Sequence, residues 1–109
     1  MRLNDGLRKL GESAFSSSSV ADIRLPSTLK RLEAKTFCCC KNLRSVEIPN
    51  GVEHIGERCF ALSGIEEIAL PSSLKEIGEG AFSGCDRLRV VRVEEDCTLD
   101  IRRYVNDNV

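Results

Sequence analysis

The chain has 109 residues, a single domain's worth, and its 16 Lys and Arg against 17 Asp and Glu leave a net charge of −1. That balance supplies no general attraction to nucleic acid or anionic lipid, and 41% hydrophobic with 30% charged residues marks a folding chain rather than a disordered one. No run approaches the roughly 18 apolar residues of a membrane helix, and Met1 to Leu10 holds no unbroken apolar stretch of the signal-peptide kind.

The first recognisable unit spans residues 7–28. Leu7 and Leu10, three apart, open it; Ala14 precedes Phe15, Ser18 follows three residues later, and Val20, Ile23 and Leu25 lead into Pro26. The second unit, 29–51, repeats the order with Leu29/Leu32, Thr36 before Phe37, Cys40, then Leu43/Val46/Ile48 and Pro49. The third, 52–73, has Val52/Ile55, Cys59 before Phe60, Ser63, Ile65/Ile68/Leu70 and Pro71. The fourth, 74–93, has Leu74/Ile77, Ala81 before Phe82, Cys85 and Leu88/Val91/Val93, with Glu94 where proline would fall. Residues 94–109 break the pattern and read as a C-terminal tail or cap carrying Leu99, Ile101, Tyr104 and Val105. The four phenylalanines lie 22, 23 and 22 residues apart, the three prolines 23 and 22, so this is a repeat protein.

Within a unit the closing triplet ends in period-two alternation, which predicts a short strand with one buried face. Proline ends that strand because it has no N–H to give the ladder, and the Ser, Thr, Asn or Gly residues after it turn the chain. The opening pair predicts a second extended piece. Around each Phe, the four-residue spacing of Cys59 and Ser63 predicts one or two helical or 3₁₀ turns. Units this short hold no core alone, so they must stack with like residues about 4.8 Å apart, in crossovers that wind right-handed. The expected class is α/β: a right-handed solenoid of four 22–23-residue repeats, with short parallel strands and short helical or 3₁₀ turns.

The core Leu43-x-x-Val46-x-Ile48 resembles the L-x-x-L-x-L strand of leucine-rich repeats, with proline after the strand and Thr28, Gly51, Ser73 or Asp96 where common members place a laddered Asn. The longer pattern on Ile48 to Ser63, Ile-Pro-x-x-Val-x-x-Ile-Gly-x-x-x-Phe-x-x-Ser, is similar to the BspA-like subclass found in microbial surface proteins. The resemblance covers residues 7–93. It implies a noncatalytic protein-binding module for adhesion or recognition at a cell surface or in the secreted fraction. An intracellular scaffold is the alternative, favoured by the missing signal segment and the Cys38-Cys39-Cys40 triplet; an enzyme or metal protein is the third reading.

The outward residues of the closing strands form two columns once the units stack. One holds Asp22, Ser45, Glu67 and Val90; the other holds Arg24, Glu47, Ala69 and Arg92, with Arg24 and Glu47 as an expected cross-strand ion pair. These eight are the candidate partner-binding residues. The partner expected there is a protein, not nucleic acid, with no membrane insertion, and ends without caps leave end-to-end self-association open.

Cys40, Cys59 and Cys85 stand in core columns and read as buried thiols, while Cys38, Cys39 and Cys97 fall outside them and read as reachable ones. Consecutive cysteines do not readily bond one another. No four metal ligands converge in the pattern, so neither metal nor other cofactor is expected. His54, the sole histidine, lies on the outward side of an opening pair with no catalytic partner signalled, so no catalytic residue is assigned. Gly56 and Gly78 read as bend residues, not as a phosphate loop.

Overall fold

The computed structural model describes residues 6–94. The opening pairs supply one parallel sheet, ordered β1 (Lys9–Leu10), β2 (Arg31–Leu32), β4 (His54–Ile55) and β6 (Glu76–Ile77). The closing triplets supply a second, ordered β3 (Ser45–Glu47), β5 (Glu67–Leu70) and β7 (Val90–Val93). Register aligns Leu10, Leu32, Ile55 and Ile77 in one sheet and Val46, Ile68 and Val91 in the other, so each aliphatic position becomes a stacked column. The first unit's closing segment, expected as a strand, is reduced to a bridge at Arg24 in the outermost described rung. Between the sheets lies the core, in which Leu29, Val52, Leu43, Ile65 and all three of Phe37, Phe60 and Phe82 are fully buried.

The four Phe rings stack in parallel, with centroids 5.5, 5.3 and 5.7 Å apart and planes within 8°. Those spacings slightly exceed the strand separation of about 4.8 Å, as offset stacking requires. Phe15, with a ring on one side only among the described residues, is half-buried.

The segment around each Phe is not helical, which corrects the expected helical or 3₁₀ turns: none of the described residues is in a helix. The residues two before and two after each Phe have positive φ, namely Ser13, Ser17, Lys35, Cys39, Arg58 and Leu62 at 53–64° and Gly80 and Gly84 at 68° and 71°. A right-handed helix cannot pass through such residues. They turn alternate N–H groups out of the rung toward the next one. Phe15 N–H donates to Thr36 O, Phe37 N–H to Cys59 O and Phe60 N–H to Ala81 O, each at 2.8 Å. The intervening N–H groups close tight turns within the rung, such as Cys38 N–H to Lys35 O at 3.1 Å. The Phe segment is therefore a third ladder, and the described architecture is strand and turn.

Two further features hold the rungs in register. Thr28 Oγ1 donates to Leu7 O at 2.7 Å and accepts from Gly6 N–H at 2.9 Å; Ser73 Oγ does the same for Val52 O at 2.8 Å and Gly51 N–H at 2.9 Å. Hydroxyls thus perform at alternate corners the task that an Asn ladder performs elsewhere. Gly56 and Gly78 are required by close approach: a Cβ there would lie 2.5 Å from the Glu33 carbonyl carbon and 2.4 Å from the Glu57 nitrogen.

Candidate functional site

The outer face of β3–β5–β7 carries six of the eight residues expected to point outward, and the rung before it the other two. Pairing puts Ser45 beside Glu67 beside Val90, and Glu47 beside Ala69 beside Arg92, with Asp22 and Arg24 in the preceding rung. Their inward neighbours Val46, Ile68 and Leu70 are buried, so strand alternation alone fixes which side chains reach solvent. Asp22, Arg24, Ser45 and Glu47 line a hollow of about 740 Å³ together with Pro49. A smaller one of about 180 Å³ continues across Glu67, Ala69 and Arg92. Val90 is 41% exposed at the far side of the sheet.

Charge on this face differs from expectation in one pair. Among the described residues no ion pair joins Arg24 to Glu47; Arg92 instead reaches back to Glu67, Nη2 to Oε2 at 3.2 Å. The long Arg side chain spans the diagonal between columns, a contact invisible to rung-by-rung pairing. Glu47 consequently keeps an exposed carboxylate beside the larger hollow.

The opposite sheet presents Lys9, Arg31, His54 and Glu76 in one column. His54 is half-buried, and its Nδ1 lies 4.0 Å from Glu76 Oε1 without a hydrogen-bond partner among the described residues. Lys75 pairs with Glu53 at 3.7 Å.

Cys40, Cys59 and Cys85 are fully buried thiols, and Cys38 and Cys39 are half-buried ones; Cys97 lies outside the described residues. The buried column has a use that the sequence did not disclose. Cys40 Sγ donates to Phe15 O at 2.9 Å and Cys85 Sγ to Phe60 O at 3.0 Å, satisfying Phe carbonyls of a preceding rung. Burial pushes the Cys59 thiol up to about 12 and raises those of Cys40 and Cys85, so these sulfurs remain protonated. Among the described residues no group of three or more His, Cys, Asp or Glu side chains could hold a metal ion, and no helix is long and apolar enough to cross a membrane.

Parallel ladders, a repeat of 22–23 residues and an L-x-x-V-x-I strand define a leucine-rich repeat solenoid. The BspA type leucine rich repeat region (6 copies) matches residues 1–108, and the chain belongs to that family. Among solved structures, a leucine-rich repeat protein from Bacteroides ovatus is 30% identical with a TM-score of 0.79, over 85% of this chain and 26% of that one. A leucine rich cell surface protein from Faecalibacterium prausnitzii is 26% identical with a TM-score of 0.75, over 86% of this chain and 31% of that one. A leucine-rich repeat protein from Eubacterium ventriosum, 20% identical with a TM-score of 0.63 over 87% of this chain and 32% of that one, shares the fold. The chain thus spans between a quarter and a third of the length of these relatives. No curated protein matches it.

Proposed function

We propose that this chain is a noncatalytic protein-binding module that engages its partner through the outer face of β3–β5–β7, as part of an adhesion or recognition surface of a microbial cell. The observation that carries the reading is the continuous face itself: two outward columns in fixed register across β3, β5 and β7, bearing Glu47 and Glu67 against Arg92, and a hollow of about 740 Å³ that joins them to Asp22 and Arg24 of the preceding rung. Solenoids use such extended faces to bind. Mixed charge suits a protein rather than a nucleic acid, and the family and the cell-surface relative support that setting. Strands about 4.8 Å apart make the face only about 15 to 20 Å wide, at the small end of specific interfaces, so affinity for one such segment is modest.

The test is a pull-down comparing the parent chain with two charge-altered variants. Glu47→Lys with Glu67→Lys is expected to abolish capture, whereas Lys30→Glu, Glu53→Lys and Lys75→Glu on the opposite side leave it unchanged. The reverse result would move the binding surface to the opening-pair sheet. Partners recovered from surface or extracellular fractions support recognition outside the cell; partners confined to cytosol support the intracellular scaffold.

A further inference from the structure

The vicinal thiols in the second rung are not explained by packing. In the same columns the first unit has Ser16 and Ser17, the third Ala61 and Leu62, and the fourth Ser83 and Gly84. Only the second places two sulfurs side by side, with Cys38 Sγ 3.4 Å from Cys39 Sγ. Both thiols are half-buried rather than sealed in the core. Cys39 also lines a hollow of about 390 Å³ together with Leu62, Lys41, Asp86 and Arg87. Neither Lys41 nor Arg87 has an ion-pair partner among the described residues. The hollow therefore brings Cys39 together with an apolar wall and an excess of cationic groups.

We infer that Cys38 and Cys39 form a reversible dithiol site for a small, carboxylate-bearing disulfide of the glutathione-disulfide class. The Cys39 thiolate attacks one sulfur of the bound disulfide, whose S–S bond breaks. The first half leaves as thiolate and takes up the proton that Cys39 gave to solvent, while Lys41 and Arg87 hold the carboxylates. The Cys38 thiolate then attacks the Cys39 sulfur of the mixed disulfide and releases the second half, again as a thiol after protonation. The protein pair loses two electrons and two protons, and the small disulfide gains them. Desolvation raises the Cys38 thiol, as does its hydrogen bond to Cys39, and its attack is helped by being intramolecular, since Cys38 Sγ already lies 3.4 Å from Cys39 Sγ.

Ring closure between neighbours is strained. Consecutive Cα atoms sit about 3.8 Å apart across a trans peptide, below the usual disulfide range of about 4.4 to 6.8 Å, and strain makes a disulfide easy to reduce. The bond is therefore labile rather than structural. It also falls on a peptide that ties three rungs together: Cys38 O accepts from Ser17 N–H and Cys39 N–H donates to Ala61 O, each at 2.8 Å. Twisting that peptide loosens the Phe ladder on both sides, so oxidation is felt by the fold.

The experiment treats the reduced full chain with glutathione disulfide and follows intact mass and peptide maps after acid quench. The expected product has lost two hydrogens, retains no glutathione, carries its new bond between Cys38 and Cys39, and reverts in excess reduced glutathione. Cys38→Ser should trap one glutathione on Cys39, and Cys39→Ser should slow the reaction at least about tenfold. Both serines fit, since Ser16 and Ser17 hold the equivalent positions. Cys40→Ser, in a column already containing Ser18 and Ser63, should leave the product unchanged. Lys41→Glu with Arg87→Glu should slow glutathione disulfide by about threefold to tenfold while failing to slow the cationic disulfide cystamine. A mixed disulfide that persists in the parent chain would overturn the dithiol, and parent rates equal for glutathione disulfide and cystamine would overturn the ligand class.

Discussion

The turn around each Phe and the outer face of β3–β5–β7 are built by the same stacking of rungs, yet they use sequence in opposite ways. At the turn a column repeats in chemistry: four Phe rings in parallel, Ser or Cys three residues later, and N–H groups handed from each rung to the next. On the outer face a column repeats only in geometry. Ser45, Glu67 and Val90 share a register but no chemistry, as do Glu47, Ala69 and Arg92. A position whose residue type recurs every rung is held by packing, whereas one that recurs only in direction is free to serve a partner.

The largest test of that contrast is loss of a ring. Phe60 is fully buried between Phe37 and Phe82, so Phe60→Ala is expected to cost about 3 to 5 kcal/mol in chemical denaturation. Phe15 is half-buried with a single ring neighbour, and Phe15→Ala should cost less than half as much. Equal losses would mean that the column is not what binds the rungs together.

A glycine pair sharpens the comparison at smaller scale. A Cβ at Gly56 would sit 2.5 Å from the Glu33 carbonyl carbon, whereas one at Gly11 would meet none of the described residues within 4 Å. Gly56→Ala should therefore destabilise by about 1 to 3 kcal/mol, because rung must shift against rung, and Gly11→Ala should stay within about 0.5 kcal/mol. Thermal unfolding of the two variants separates a steric need from a mere bend.

Alkaline pH tests the buried thiols. The Cys59 thiol titrates at about 12 in the fold against 9.0 for an unburied cysteine, so the unfolded chain releases its proton first. Its contribution to stability is fully present below pH 9.0 and is lost as pH rises toward about 12. Cys59→Ala, matching Ala14 and Ala81 in the same column, should flatten the decline of stability across that window. An unchanged slope would place the thiol in contact with water.

The repeat length, the opening strand of every unit, the closing strands of the second, third and fourth and the buried columns of the inner rungs were legible in the residues, because periodicity of strand and spacing of Phe are direct consequences of stacking; at the end rungs the first closing strand shrinks to a bridge at Arg24 and Val93 is 40% exposed. The turn was not. Cys59 and Ser63 four apart suit a helical turn as well as the observed one, and the left-handed positions are filled by Ser, Lys, Cys, Arg and Leu, which carry no common signal. The clue lay in the fourth unit, where Gly80 and Gly84 flank Phe82 symmetrically at both positive-φ positions. Nor could rung counting reveal that Arg92 pairs with Glu67, since a diagonal contact depends on side-chain reach. The hydroxyl bridges of Thr28 and Ser73 were equally hidden, although the position was recognised as the one lacking Asn.

The smallest expected effect is on the outer face, where charge reversal should disturb folding little. Glu47 is exposed and Glu67 is 44% exposed in its side chain, so neither replacement removes core volume. Glu47→Lys puts a cation in the rung next to Arg24, and Glu67→Lys removes the 3.2 Å contact with Arg92 and replaces it with a like charge. Exposed pairs contribute only about 0.2 to 1 kcal/mol, and like charges across a strand cost a similar amount. The double variant is therefore expected to lose no more than about 1 kcal/mol, with an unchanged denaturant slope. Added salt should recover part of that loss, because the new repulsions are solvent-exposed and screened over about 10 Å at 0.1 M. A loss above about 2 kcal/mol, insensitive to salt, would show that these carboxylates hold the rungs in place, and the face would then belong with the Phe turn as structure rather than with the surfaces free to recognise a partner.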